Sequence, residues 1–310
     1  MTRVPDLSRQ TSAVTRAVLW MVGSLVSFSV IAIAGREASR VISTTELMFW
    51  RGLIGVVVLV VIWLATHGTL ADLRSGQPRL QLMRSIVHFA AQFGWLYALT
   101  LIPLVELFAL EFTSPLWVAV LAPLFLGERL TVVRACAALL GFIGALVVIW
   151  PPNAGWSVTA FIDQMSLGTG SILALMSAVG FACNMMAVKR LTRTDTPFTI
   201  LVWMNALQAL IGAGFLFYGI TWPDPLTWFW TLLVGIGGLT AHYSLSRAFL
   251  LADAIIVAPM DFLRVPLIAL VGMSVYAEPL RVLVLVGGAC IILANALNIW
   301  SERRAQVKRG

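Results

Sequence analysis

Charge is scarce in this sequence: 11% of its 310 residues are Asp, Glu, Lys or Arg, against 60% apolar. A soluble domain carries roughly a quarter charged residues, so a water-facing globule is excluded. Cysteine is rarer still. Cys136, Cys183 and Cys290 all fall in apolar stretches, which argues against a disulfide framework and for small core residues. Histidine also numbers three, and Glu46, His67 and His88 are scattered, so no metal site is expected. The chain lacks His-Glu-x-x-His, Cys-x-x-Cys, Gly-x-Ser-x-Gly and any phosphate-binding glycine loop. Neither an enzyme nor a cofactor is therefore expected.

What is present is apolar sequence in long blocks. Ten of them, at 17–34, 45–66, 80–101, 104–126, 132–150, 166–188, 198–219, 227–250, 254–276 and 279–300, each approach the ~20 residues that cross a bilayer. The fold expected is an all-α membrane protein of ten transmembrane helices. The net charge of +7 is an orientation signal rather than a nucleic-acid footprint. With the N-terminus inside, the basic residues around Arg3–Arg16, Arg74–Arg79, Arg129–Arg134, Lys189–Arg193 and Arg303–Arg309 are all cytoplasmic. Only Arg36, Arg40 and Arg281 lie opposite, so the positive-inside rule puts both termini in the cytoplasm. Ala32-Ile33-Ala34 resembles a signal-peptidase site, but the run is long for a signal peptide and cleavage would leave an odd number of spans.

The chain also echoes itself. Shifting Tyr97–Trp150 by 150 places it on Arg247–Trp300 without a gap. Phe112 then meets Phe262, Glu128 meets Glu278, Trp150 meets Trp300, and Glu111 meets Asp261. Five helices per half is an odd number, so the halves are expected as inverted repeats around a central cavity, the plan of many secondary carriers. The expected division is a cytoplasmic tail 1–16, a first repeat 17–150, an extracytoplasmic linker 151–165, a second repeat 166–300 and a tail 301–310. Pro103, Pro115 and Pro123 punctuate the fourth block, and Pro259 and Pro266 its partner, the ninth. Proline frees backbone carbonyls, so this matched interruption points to the cavity or to helix packing.

Charges that lipid does not tolerate mark candidate sites, since each costs at least ~2.5–3.5 kcal/mol at mid-bilayer. Glu111, Asp261 and Arg264 form the expected coupling or charge-pair group. Two readings stand: a proton- or cation-coupling site, or a static salt bridge that fixes helix register. Arg51 and Arg84 suit a carboxylate or other anion because a guanidinium offers a bidentate fork. Arg84, His88, Gln92 and Trp95 make one polar stripe on the third helix. They are expected to bind substrate, with Tyr97, Asn184 and Tyr243. His242, Asn205 with Gln208, and Asn295 with Asn298 fit either the cavity or interhelical hydrogen bonding. Glu106, near a helix start, reads as structural.

Several stretches resemble the EamA-type branch of the drug/metabolite transporter superfamily. They are Phe49-Trp50-Arg51, Tyr97-Ala98-Leu99, Phe112-Thr113-Ser114-Pro115-Leu116, Leu126-Gly127-Glu128-Arg129-Leu130 and Gly141-Phe142-Ile143-Gly144, with Ala258-Pro259 and Ala277-Glu278-Pro279-Leu280 in the second half. The likeness spans nearly the whole chain. It implies a ten-helix carrier in a bacterial inner membrane, working by alternating access on a small polar metabolite. Amino acids, vitamins and nucleotide-like compounds are the classes implied, and an anionic group is expected from the arginines. A coupled proton or cation, the lipid bilayer and a monomeric or homodimeric state complete the expected partners; nucleic acid is not among them. The alternative is a membrane-embedded transferase acting on a lipid-linked substrate.

Overall fold

The computed structural model describes residues 7–102, 104–127, 131–150, 157, 159, 168–264 and 282–307. Glu128, Arg129, Pro103, Pro266, Glu278 and nearly all of the expected 151–165 linker lie outside these residues, as do the side chains of Glu106, Asn295 and Asn298. Among the described residues the structure is helical, without strands. The helices are α1 (Leu7–Ala38), α2 (Thr44–Ala65), α3 (Pro78–Leu101), α4 (Leu104–Glu111), α5 (Ser114–Leu126) and α6 (Val132–Ile149). They continue with α7 (Thr169–Leu191), α8 (Pro197–Ala213), α9 (Pro225–Leu251), the single turn α10 (Ala254–Val257) and α11 (Val282–Val307). By length and composition, Val14–Ala38, α2 and α7 are each apolar enough to cross a membrane alone.

Local sequence sets the starts of several helices. Ser43 and Glu46 form a capping box at α2: the Ser43 hydroxyl accepts from the Glu46 N–H, and the Glu46 carboxylate accepts from the Ser43 N–H at 2.7 Å. Thr196 and Asp224 cap α8 and α9 through the N–H groups of Thr199 and Thr227, each followed by a proline in the first turn. At the other end of α5, Gly127 takes a left-handed φ of 69°, a stop that a glycine adopts without strain.

The fourth apolar block is not one helix. It breaks after Glu111 and restarts at Ser114 as α5. Pro115 supplies the reason: it has no N–H to give to the carbonyl of Glu111, four residues back. In the ninth block, α10 gives way to a 3-10 segment over Ala258–Leu263 that carries Pro259 and Asp261. Glu111 and Asp261, which the echo pairs, therefore sit where regular α-helix ends.

The most extensive helix contacts join residues before 150 to residues after 168: α1 with α9, α3 with α7, α2 with α8, and α6 with α11. Small residues make this closeness possible, as in membrane helix pairs generally. A Cβ on Gly52 would stand 2.8 Å from the Ala209 backbone nitrogen, and one on Gly212 2.9 Å from the Phe49 Cα. Gly94 lies against Ser177 and Gly180 against Ala91 in the α3–α7 pair. The outer faces stay apolar, with Val57, Val61, Leu124, Phe125 and Ile292 exposed as lipid contact requires.

Polar brackets tie the ends. In the loop before α8, Asp195 is buried and accepts from the hydroxyls of Ser75 and Thr194, the N–H of Gly76 at 2.8 Å and the amide of Gln81 at 2.9 Å. Burial alone raises its pKa, but these four donors outweigh it and hold the carboxyl below its usual range. At the opposite end of α2, Trp50, Trp222 and Trp228 pack ring to ring with centroids 4.9–5.6 Å apart, and Glu46 accepts from the N–H of Thr221.

Candidate substrate cavity

A cavity opens between α1, α3, α7, α9 and the two helix breaks. Its polar wall carries His88, Gln92 and Trp95 from α3 and Asn184 from α7. Its charged end carries Glu111, Asp261 and Arg264. Phe28 from α1 and Phe181 from α7 face it with Ile31 and Leu245, so aromatic surface lies beside hydrogen-bonding groups.

Four residues of the first half recur in this lining at the 150-residue offset. Gln92 pairs with His242, Trp95 with Leu245, Glu111 with Asp261 and Ser114 with Arg264. Phe112 and Phe262, also echo partners, touch with ring centroids 6.0 Å apart.

The charged end is one buried cluster. Arg264 donates to Glu111 and, at 3.0 Å, to Asp261. The Trp95 indole N–H donates to the other Glu111 oxygen at 2.7 Å. Phe28, Phe108 and Phe112 surround the guanidinium with its central carbon 5.6–5.8 Å from each ring, close enough for cation–π attraction. Two carboxylates against one guanidinium leave one negative charge unless a proton or cation joins them.

The polar stripe on α3 is split by depth. His88, Gln92 and Trp95 reach the cavity, whereas Arg84 lies behind it and donates to Asn184 and the Ile200 carbonyl, each at 3.3 Å. Arg51 also lies behind the wall, donating to Gln208 at 2.7 Å. Gln208 in turn reaches His88 at 2.6 Å. Two other expected residues sit elsewhere. Tyr97 is 42% exposed and stacks on Phe93, and Tyr243 packs edge-on against Trp20. Their rings carried no periodic signal separating cavity from surface. Arg247, another intramembrane arginine of the sequence, lies over the Trp20 ring at 5.4 Å. Phe28, Phe181 and Ser114 were not expected in the lining. Phe181 lies one turn before Asn184 on α7, a polar neighbour that could have marked it, whereas Phe28 had no such signal singled out.

A family model described as "EamA-like transporter family" matches residues 15–150 and 168–300. This chain belongs to the EamA-like transporter family. A riboflavin transporter of Brucella anthropi is 33% identical over 82% of this chain and 87% of its own length. A pseudopaline exporter of Pseudomonas aeruginosa is 27% identical over 89% of this chain and 93% of its own. A solved protein structure superposes with a TM-score of 0.74 over 94% of this chain and 99% of that chain; at 21% identity it speaks to the fold alone. With these relatives, the chain is a multi-pass membrane protein of the drug/metabolite transporter superfamily and a small-metabolite transporter.

Proposed function

We propose that this EamA-like protein is a secondary active carrier that moves a planar, polar vitamin of the riboflavin class across the bacterial inner membrane by alternating access. The observation that carries the substrate class is the cavity: aromatic side chains of Phe28, Phe181 and Trp95 stand beside the hydrogen-bonding groups of His88, Gln92, Asn184 and His242. Such a lining offers stacking surface and in-plane hydrogen bonds together, as a fused heteroaromatic ring needs. The riboflavin transporter of Brucella anthropi, at 33% identity, supports the same class. The anionic group expected of the substrate has less support. Arg51 and Arg84 lie behind the wall, and Arg264 already holds two carboxylates.

The architecture we propose is ten helices in two inverted repeats, 17–150 and 166–300, with the linker outside and both tails in the cytoplasm. Two features support it. Exchanging the halves (α1 with α7, α2 with α8, α3 with α9, α6 with α11) maps the four principal helix contacts onto one another. The echo pairs also meet in one cavity. In this reading Glu111 and Asp261, one from each half, share Arg264 and take up a single proton during the cycle, which couples transport to the proton gradient. Alternating access then amounts to exchanging which half closes over the charged cluster.

Uptake of radiolabelled riboflavin into proteoliposomes holding the purified chain tests this directly. Saturable uptake or exchange that excess unlabelled riboflavin suppresses is the expected result. Absence of flux in both directions, with and without an imposed pH gradient, overturns the substrate class.

A further inference from the structure

Arg51 and Arg84 are each 1% exposed, and neither has a carboxylate partner among the described residues. Their partners are neutral oxygens: Gln208 Oε1 for Arg51, and Asn184 Oδ1 with the Ile200 carbonyl for Arg84. Burying guanidiniums this way costs free energy that the fold recovers elsewhere. Their chemistry also has a consequence for the cavity. A guanidinium only donates, so whichever atom of a neighbouring amide it touches must be the oxygen.

For Gln208 this fixes the rest of the chain of bonds. With its oxygen held by Arg51, its –NH2 group faces His88 Nδ1 at 2.6 Å. An amide nitrogen cannot accept, so Nδ1 must, and His88 is neutral with its proton on Nε2. The titratable or charged groups around the ring are His242, Arg51 and Arg84, with no carboxylate among them. Nε2 has no partner among the described residues, and His88 lines the cavity. The same arithmetic applies to Asn184. Its oxygen is taken by Arg84, which leaves its –NH2 as the free end of a cavity-lining side chain.

We infer that Arg51 and Arg84 are positioning residues: acting through Gln208–His88 and through Asn184, they set the α3–α7 wall of the cavity to donate hydrogen bonds. The nearby Gln92 is 8% exposed, and its side-chain oxygen is buried without a partner. The wall therefore presents N–H groups at His88 and Asn184. A neutral ring with carbonyl oxygens, as in a cyclic amide or imide, complements that set. This deepens the proposed function and rests on it for the ligand, but the orientation of the wall stands on the protein alone.

The test uses the full chain in lipid nanodiscs with ¹⁵N-labelled histidine rings, the His88 signals being assigned with a His88→Gln variant. In the parent at pH 7, His88 is expected neutral, protonated at Nε2 and bare at Nδ1. Gln208→Glu puts an acceptor on both Arg51 and His88, so a proton is expected to appear on Nδ1. An Nδ1–H in the parent, or a spectrum unmoved by Gln208→Glu, overturns the inference. Asn184→Asp gives the second reading, because it satisfies Arg84 with a full charge while removing the donor. Its thermal midpoint is expected level with or above the parent's, while riboflavin binding, read by quenching of flavin fluorescence, weakens about tenfold. Unchanged riboflavin binding in Asn184→Asp overturns the donor wall. If riboflavin fails to bind the parent while the His88 tautomer is as expected, the wall stands and the flavin reading falls.

Discussion

Two clusters in this protein bury arginine in opposite ways. Arg264 lies at the charged end of the cavity against two carboxylates, one from each half of the chain. Arg51 and Arg84 lie behind the polar wall against amide and carbonyl oxygens only. Direct ion pairing gives the first cluster strong mutual attraction, with two carboxylates sharing one cation. Neutral partners give the second cluster no counter-charge. What it supplies instead is orientation, because a donor-only group decides which way each amide turns. Buried charge thus serves charge balance at one end of the cavity and hydrogen-bond polarity along its side.

The largest expected effect separates the two clusters. Arg264→Met leaves Glu111 and Asp261 facing each other without a cation, and breaking a buried pair this way costs about 3–5 kcal/mol. Purified protein should show a much lower thermal midpoint or fail to accumulate. Arg51→Met removes a buried charge that no carboxylate balances and leaves only the neutral Gln208 oxygen unmet, so its midpoint should fall by much less. If the two variants lose stability alike, the contrast between the clusters is wrong.

A smaller effect probes the odd carboxylate. Glu111→Gln and Asp261→Asn each leave Arg264 one carboxylate, so the variants should fold, but the single proton then has no place in the cycle. Riboflavin flux in proteoliposomes should lose its dependence on an imposed pH gradient in both variants. A parental pH profile in both assigns the cluster to packing alone.

The smallest effect concerns a carboxylate held by neutral donors, the mirror of the arginine case. Asp195 has a depressed pKa in the folded protein, so its stabilising contribution is complete above the unfolded value of about 3.9 and fades as pH falls through the folded one. Asp195→Asn should lower the thermal midpoint at pH 7 by about 2 °C. It should also flatten the fall in midpoint on acidification. A parallel acid limb in the variant would show that Asp195 contributes nothing to it.

Much of the candidate cavity lining was legible in the sequence. The three charges Glu111, Asp261 and Arg264 stood out because lipid penalises them, and the 150-residue echo paired the two carboxylates. His88, Gln92 and Trp95 were readable as one face of α3 because helical spacing puts them there. That same spacing could not say that Arg84, on the same stripe, ends behind the wall. Which side of α3 meets α7 and α8 depends on where Gly94 and Gly180 let the helices approach. The aromatic lining was harder to read, because a phenylalanine in a mostly apolar helix suits lipid, core and cavity alike.

The sequence by itself determined that the chain lives in a membrane, that it echoes itself at an offset of 150 residues, and that a few charges must be kept from lipid. Those are consequences of composition and repetition, which the solvent reads residue by residue. Only the tertiary structure decided which of those charges meet. The break at Pro115 and the 3-10 segment at Asp261 bring Glu111, Asp261 and Arg264 together from different halves. It also decided that Arg51 and Arg84 turn amides rather than face the cavity. Direction of a hydrogen bond is a property of pairs, and pairs far apart in sequence exist only once the helices have packed.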